Sequence, residues 1–121
     1  MTTVLDPFGS PVVIFNKTGL SIFEVSANGN DGTNPAVISS VSSVMVVNII
    51  LNSGNTDVEL PDNADIGDTI EMYSDGGGAR IYPASGDSIE GFSPYYEHLG
   101  SKVKPVVMRR YSSTHWRIVS A

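Results

Sequence analysis

Residues 44–51 read Val-Met-Val-Val-Asn-Ile-Ile-Leu, and this stretch decides the fold class. It lies within residues 36–53, the longest segment without glycine or proline, where nearly half of the positions are valine or isoleucine. Because β-branched side chains are stiff at χ1, they favour a strand. A helical stripe through Val37, Val41 and Val44 is the competing interpretation. We predict a strand over 44–51, buried on both faces or paired with another chain, after an extended or briefly helical serine segment.

The composition of the whole chain also favours strands. The 121 residues include 14 valines and 10 isoleucines but 5 leucines, 6 alanines and no glutamine, and 12 glycines and 7 prolines interrupt the chain. Such a length suits one domain. Short apolar runs recur at intervals of roughly ten residues, which is typical of an all-β antiparallel β-sandwich or a jelly-roll-like single domain. The predicted strands are residues 12–15, 20–25, 44–51, 56–60, 68–74, 79–82, 88–89, 104–111 and 115–120.

Three short polar segments between these runs predict hairpins. They are Asn-Lys-Thr-Gly at 16–19, Asp-Gly-Gly-Gly at 75–78 and Ser-Ser-Thr at 112–114. Each is rich in residues that favour turns between paired strands. Pro105 is expected at a strand start, since it cannot donate to a ladder.

The first residues differ from the rest of the chain. Residues 1–11 contain Val4, Leu5 and Phe8 without a usable period, and Pro7 and Pro11 disfavour a helix. We predict an extended N-terminal arm at 1–11 that docks on a neighbour, followed by a single β domain at 12–121. A frayed terminus is the alternative.

Charge and cysteine content exclude several functions. The net charge is −6 and there is no cysteine, so the sequence predicts no disulfide, no thiolate metal site and no nucleic-acid partner. No apolar stretch approaches the roughly 20 residues of a membrane span, and no signal peptide is visible. Five basic residues fall within an acid-free segment and are interpreted as the complement of the acidic half: Lys102, Lys104, Arg109, Arg110 and Arg117.

Two acidic or amide-rich segments are candidate calcium loops. Asp62, Asp65 and Asp68 could supply hard oxygen ligands, but three-residue spacing in a loop is no established ligand pattern. Residues 28–35 contain one carboxylate, Asp31, and match turn chemistry better. The sequence contains no nucleophile–base set or phosphate cradle. We therefore predict no metal, no cofactor, no catalytic residue and no enzyme activity.

The order of several short motifs resembles a known group of proteins. The motifs are Leu60-Pro61, Gly-Asp-Thr-Ile-Glu-Met-Tyr at 67–73, Ile-Tyr-Pro-Ala-Ser-Gly-Asp-Ser-Ile at 81–89 and Trp-Arg-Ile-Val at 116–119. Over residues 44–121 the chain resembles small β domains of tailed-bacteriophage virion proteins: head decoration (cement) proteins, head fibres and tail-fibre modules. That resemblance implies a trimer that binds other virion proteins and has no enzyme activity.

The resemblance and the residues lead to one expected function and two alternatives. We expect a capsid decoration protein, made in the host cytoplasm, that binds the major capsid protein or another virion protein as a homotrimer. Residues 44–51 support self-association, because they are too apolar for an exposed strand of a monomer. A head-fibre or tail-fibre module that binds a host receptor or glycan is one alternative. A carbohydrate-binding domain using Tyr95, Tyr96 and Trp116 is the other, although Trp116 alternates with Ile118 as a core residue would. The predicted interface residues are Val4, Leu5, Phe8, Val44, Val46 and Ile49.

Overall fold

The computed structural model describes residues 2–5, 11–14, 19–98 and 104–121, and the regular structure of these residues is β. The predicted all-β class is therefore confirmed. Most predicted strands lie within two residues of observed ones. In chain order the strands are β1 (Thr2–Leu5), β2 (Pro11–Ile14), β3 (Leu20–Ser26), β4 (Ala36–Val37), β5 (Val44–Ile50), β6 (Asp57–Glu59), β7 (Thr69–Ser74), β8 (Ala79–Tyr82), β9 (Ser88–Ile89), β10 (Tyr96–His98), β11 (Val106–Arg110) and β12 (His115–Ser120).

From β3 onward the chain winds as a β-solenoid of about four turns. Strands β3, β5 and β7 stack in parallel in one sheet, and β4, β6 and β8 stack in parallel in a second sheet. The length of one turn can be read from the partners in the first sheet, where Leu20 pairs with Val44 and Val44 pairs with Thr69. Coil 1 is thus β3 with β4, coil 2 is β5 with β6 and coil 3 is β7 with β8, and the later strands β9 and β10 end the two sheets.

The predicted antiparallel β-sandwich or jelly roll is wrong. The strands do recur at short intervals, but consecutive strands of coils 1–3 lie in different sheets, and each strand of coils 1 and 2 pairs with the strand one turn later. The predicted hairpin at 75–78 is wrong for the same reason, because β7 and β8 belong to different sheets. This segment turns a corner of the coil instead. Gly78 adopts a left-handed φ of 94° there, and its N–H donates to the His98 carbonyl at 2.9 Å.

The regular winding changes after coil 3, where a hairpin enters the first sheet. β11 pairs antiparallel with β7, β12 pairs antiparallel with β11, and β9 pairs parallel with β12. The hairpin predicted at 112–114 is therefore confirmed. The first sheet has the order β3-β5-β7-β11-β12-β9, and β10 ends the second sheet by pairing antiparallel with β8.

The core lies between the two sheets and is built from residues that share a register position. Met45, Ile70 and Met108 lie side by side in adjacent strands and are fully buried. Val47 and Met72 are neighbours in the next inward column. Each such side chain contributes about 1.5–3 kcal/mol by leaving water. The solenoid therefore depends on apolar residues repeated once per turn.

The two N-terminal strands form their own antiparallel pair, with Thr2 opposite Ile14 and Leu5 opposite Pro11. The predicted arm at 1–11 thus contains strand β1, while Phe8 lies outside the described residues. The hairpin predicted at 16–19 is wrong for the described strands, because β2 pairs with β1 and β3 pairs with β5 in a different sheet. Residues 15–18 themselves lie outside the described residues. The docking role of the arm stays a prediction.

Candidate functional site

Within the described residues, no strand pairs with the outer edge of β3, so we call this end of the solenoid the open end. A groove of about 560 Å³ lies there. Its walls include Phe23 and Val25 on β3 and Val41 on the segment after β4. Phe23 and Val25 are in register with Val47 and Ile49 of the next coil, which are fully buried, yet they are themselves half-buried. The same inward register positions are therefore fully buried in coil 2 and only half-buried in coil 1.

An apolar strip lies beside this groove on the outer face of the first sheet. We call the side chains of Leu20, Ile22, Val44 and Val46 the outer strip. Leu20 pairs with Val44 and Ile22 with Val46, so the four form a compact block across two strands. Ile22 is 73% exposed and Leu20 is 59% exposed. Contiguous exposed apolar side chains of this kind mark interaction surfaces more often than isolated ones do.

The structure separates the predicted interface residues. Val44 and Val46 lie together in the outer strip, whereas Ile49 is fully buried on the inward face of the same strand. Val4 and Leu5 lie in β1. The sequence patterns did not single out Leu20 and Ile22. Their spacing matches that of Val44 and Val46 one turn later, and this was the signal that could have identified them.

The segment at 28–35 folds over the outer face of the second sheet. The carboxylate of Asp57 is fully buried beneath it and accepts the Gly32 N–H and the Thr56 hydroxyl, each at 2.8 Å. A Cβ at Gly32 would lie 3.0 Å from the Tyr82 ring, so the absence of a side chain there permits the close approach. Burial raises the pKa of Tyr82, and the charge of Asp57 adds to that effect. These contacts make the segment an ordered part of the fold.

In each candidate calcium loop, one carboxylate accepts hydrogen bonds from the loop itself: Asp31 in the first and Asp68 in the second. Asp31 accepts both the backbone N–H and the hydroxyl of Thr33, and these bonds lower the pKa of Asp31. Asp68 is buried and accepts the backbone N–H of Asp65 at 2.9 Å. Among the residues that the structure describes, no group of three acidic or histidine side chains could hold a metal ion. In both loops an aspartate side chain hydrogen-bonds the backbone of its own turn, which is typical of a structural turn.

Two of the five clustered basic residues pair with acids of the same chain. Arg110 and Asp87 form a buried ion pair with Nη1 2.8 Å from Oδ2, and Arg117 and Glu90 form an exposed one at 2.7 Å. These pairs confirm that part of the basic cluster complements the acidic half. Lys102 lies outside the described residues.

The aromatic residues considered for carbohydrate binding are mostly engaged within the fold. Trp116 is fully buried, which confirms its assignment to the core. Tyr95 packs on Tyr82 with ring centroids 5.0 Å apart, and the Arg80 guanidinium lies 5.2 Å from the Tyr95 ring. Tyr96 makes an edge contact with Phe92 at 4.8 Å, and Phe92 is 42% exposed. Within the described range, the outer strip therefore has more exposed apolar side chains than this aromatic group has.

Comparison of the chain with protein-family models, with curated proteins and with solved structures finds no match. The parts of the chain that the structure describes contain no helix that could cross a membrane.

Proposed function

We propose that the protein is a non-enzymatic structural protein of a virion that assembles as a homotrimer through the outer strip and decorates the outer surface of the head. The observation that carries the proposal is the exposure of apolar side chains on two adjacent strands, with Ile22 73% exposed. Leaving such a surface in water is unfavourable by about 25 cal/mol per Å² of apolar area. Association with further copies would remove that cost.

A closed ring of three copies suits this surface. The strip lies on one side of the solenoid, so three solenoids arranged around a common axis can turn their strips toward one another. Such a ring leaves the second sheet and the loop at 28–35 facing outward. Those polar surfaces would then contact the major capsid protein or another virion protein. The resemblance of residues 44–121 to trimeric virion domains supports the same arrangement.

A head-fibre or tail-fibre module that binds a host receptor or glycan is the second candidate. One observation favours it: Phe92 is 42% exposed and contacts the ring of Tyr96, and the Arg80 guanidinium lies over the ring of the preceding residue, Tyr95. Aromatic side chains with a nearby cation are suited to contact sugar rings or protein receptors. The trimer is common to both candidates, but the place on the particle differs.

The oligomeric state is the first test. Light scattering of the purified chain should give a mass of three times the 12.9 kDa chain mass. We expect Ile22→Lys to reduce the mass to that of a monomer, because it introduces a charge into the strip. Val119→Lys is the matched control, since Val119 is also exposed in the first sheet but lies on β12, away from the strip. A single 12.9 kDa species for the unmodified chain would contradict the trimer.

Location on the particle is the second test. Immunogold electron microscopy of purified virions, with an antibody against this chain, should place label over the head surface. Label confined to fibres or tails would favour the fibre module instead. The absence of the chain from purified virions would rule out both roles.

A further inference from the structure

The groove at the open end follows the edge of β3 and does not lie over one face of that strand. Its lining includes the five consecutive residues 21–25. Successive side chains of a strand point to opposite faces, so a groove over one face would touch only every second residue. The other lining residues are Val37, Ser39 and Val41, in β4 and the segment after it. The groove therefore occupies the place where a further strand of the first sheet would lie.

The backbone of β3 presents hydrogen-bonding groups to this groove. β3 pairs along its whole length with β5, and the described residues supply no strand on its other side. At the start of β3, the Gly19 carbonyl accepts the Val44 N–H at 3.2 Å. Just after its end, the Ala27 N–H donates to the Ile50 carbonyl at 2.9 Å. Because alternate residues of a strand bond to the same neighbour, the odd-numbered residues face β5 and the even-numbered N–H and C=O groups point to the groove.

The lining combines apolar side chains with one carboxylate. Phe23 and Val25 point inward and are half-buried, and Val41 is 53% exposed, so apolar area remains to be covered. Glu24 is exposed on the outer face of β3 and is the one charged side chain of the described lining. Its neighbour in β5 is Asn48, and the described basic side chains lie in β8 or later in the chain. The groove therefore suits a strand with apolar side chains on its inward face and a basic side chain on its outward face.

Two occupants from this protein fit the groove less well. The strands β1 and β2 form a sheet of their own, so they are not a further strand of the first sheet. A second copy that paired through its own β3 would bring another Glu24 to the same edge, and like charges on neighbouring strands are destabilising. The net charge of −6 also favours a cationic partner over another copy. Charge complementarity therefore selects a different chain.

We propose that the free edge of β3 binds an extended, cationic segment of a partner protein as a further strand of the first sheet. Backbone hydrogen bonds to the even-numbered residues of β3 supply the affinity, and the side chains beside them select the sequence. Alternate apolar side chains of the segment pack on Phe23 and Val25, and a lysine or arginine lies beside Glu24. The proposal is independent of the homotrimer, because the backbone edge of β3 and not the outer strip makes the contact.

Binding of a designed peptide to the full chain tests the proposal. The probe is a seven-residue peptide of alternating valine and lysine with both ends blocked. Hydrogen exchange followed by NMR reports which amides the peptide protects. We expect the exchange of the Ile22 and Glu24 amides to slow at least about tenfold. The Phe23 and Val25 amides, which face β5, should change by less than about twofold.

Two control peptides separate strand pairing from charge attraction. A peptide with glutamate in place of lysine should bind at least about tenfold more weakly, because it places carboxylates beside Glu24. A lysine peptide methylated at the backbone nitrogens that face β3 should bind at least about tenfold more weakly, because it cannot donate those hydrogen bonds. Equal binding of either control and the probe would overturn the proposal.

Glu24→Lys is the corresponding change in the protein. It should weaken binding of the lysine peptide by about five- to tenfold and strengthen binding of the glutamate peptide. Glu97→Lys is the matched control, since Glu97 is exposed on β10 at the far edge of the second sheet. That variant should leave both affinities within about twofold of those of the unmodified chain. Equal losses in the two variants would show that net charge, and not the edge of β3, determines binding, and would overturn the proposal.

Three further results would also overturn it. Slow exchange of the Ile22 and Glu24 amides before any peptide is added, at every protein concentration, would show that the chain itself covers the edge. Protection and mass that both increase with protein concentration in the absence of peptide would assign the groove to a second copy. No protection at millimolar peptide would show that the edge does not bind a strand of this chemistry.

Discussion

The two ends of the solenoid differ in the length of the strand edge that they expose and in the burial of their inward side chains. At the open end, β3 presents a seven-residue edge, and the inward side chain of Phe23 is half-buried. At the opposite end, which we call the closed end, the last strands are β9 with two residues and β10 with three. Inward residues there, such as Ile89 and Trp116, are at most 2% exposed. Short edge strands and full burial leave little for another chain to pair with.

Contacts of the inserted hairpin β11–β12 stabilise the closed end. Arg110 at the end of β11 binds Asp87 through Nη1 and the Ser113 carbonyl through Nη2. Its guanidinium carbon also lies 5.4 Å from the Trp116 ring centroid. One buried cation thus connects the hairpin, its turn and the segment before β9. The chain completes this end with its own residues, whereas at the open end none of the described strands pairs with the outer edge of β3.

The largest expected effect comes from breaking the closed end at Arg110. Arg110→Met leaves Asp87 buried without its partner, which typically costs about 3–5 kcal/mol of unfolding free energy. For a domain of this size the melting temperature should fall by about 10–20 °C. Thermal unfolding followed by circular dichroism measures this.

The matched control for this experiment is Arg117→Met in the same hairpin. Arg117 pairs with Glu90 in water, with side chains 56% and 51% exposed. Exposed ion pairs contribute little, so the melting temperature should stay close to that of the unmodified chain. Equal losses for the two variants would mean that the hairpin, and not the buried pair, determines stability at this end.

The next largest effect concerns the open end and the particle. Deletion of residues 2–9 removes β1 but keeps β2. We expect the shortened chain to remain a folded trimer and to be retained less well on virions. Burial of Val4, Leu5 and Phe8 could contribute about 4–8 kcal/mol per arm before ordering costs, and three arms act together.

Co-sedimentation with virions measures that retention. A full-length control with serine at positions 4, 5 and 8 separates the apolar side chains from chain length, and it should weaken retention to a similar extent. If the shortened chain co-sediments as well as the full chain, the segment has no docking role.

These two ends also show what sequence patterns can and cannot reveal. Local alternation located most strands, because inward and outward side chains differ in polarity along each strand, as at Ile70 and Met72. Pairing was not predictable in this way. Residues at the same register position of successive strands all point inward but differ in residue type, as Phe23, Val47 and Met72 illustrate. The repeat from one turn to the next is therefore faint in the sequence, and the inserted hairpin interrupts it after coil 3.

The candidate site was only partly predictable for a related reason. Val44 and Val46 were identified because residues 44–51 are apolar on both faces. Leu20 and Ile22 were not, because their exposure depends on coil 1 being the end of the stack. Strands β4 and β10 were missed because two or three residues carry too little alternation to detect.

A smaller effect is expected from pH at the closed end. His98 is 3% exposed, its Nε2 has no hydrogen-bond partner among the described residues, and burial lowers the pKa of His98 below 6.5. The unfolded chain therefore takes up a proton at a higher pH than the folded chain does. Stability is greatest above about pH 6.5 and decreases as the pH falls through the folded-state pKa.

Melting temperatures at about pH 7.5 and about pH 5.5 measure this acid dependence. His98→Phe should reduce it, because the variant has no imidazole to protonate. His115→Phe should leave it in place, since His115 is exposed in contact with Ser112 and Thr114. An unchanged acid dependence in His98→Phe would show that other groups cause it.

The smallest change in melting temperature should come from removing divalent cations. This experiment tests one loop from each end of the solenoid. The segment at 28–35 belongs to coil 1, and Asp31 in it is bonded to Thr33. The loop at 62–68 contacts the closed end, where the Asp68 carbonyl accepts the Arg110 N–H at 2.9 Å. Since both loops are held by their own hydrogen bonds, a calcium chelator should change the melting temperature by less than about 5 °C, which corresponds to about 1 kcal/mol. A larger loss that added calcium restores would assign an ion to one loop. Replacing Asp31 or Asp65 with asparagine would then show which end of the solenoid holds it.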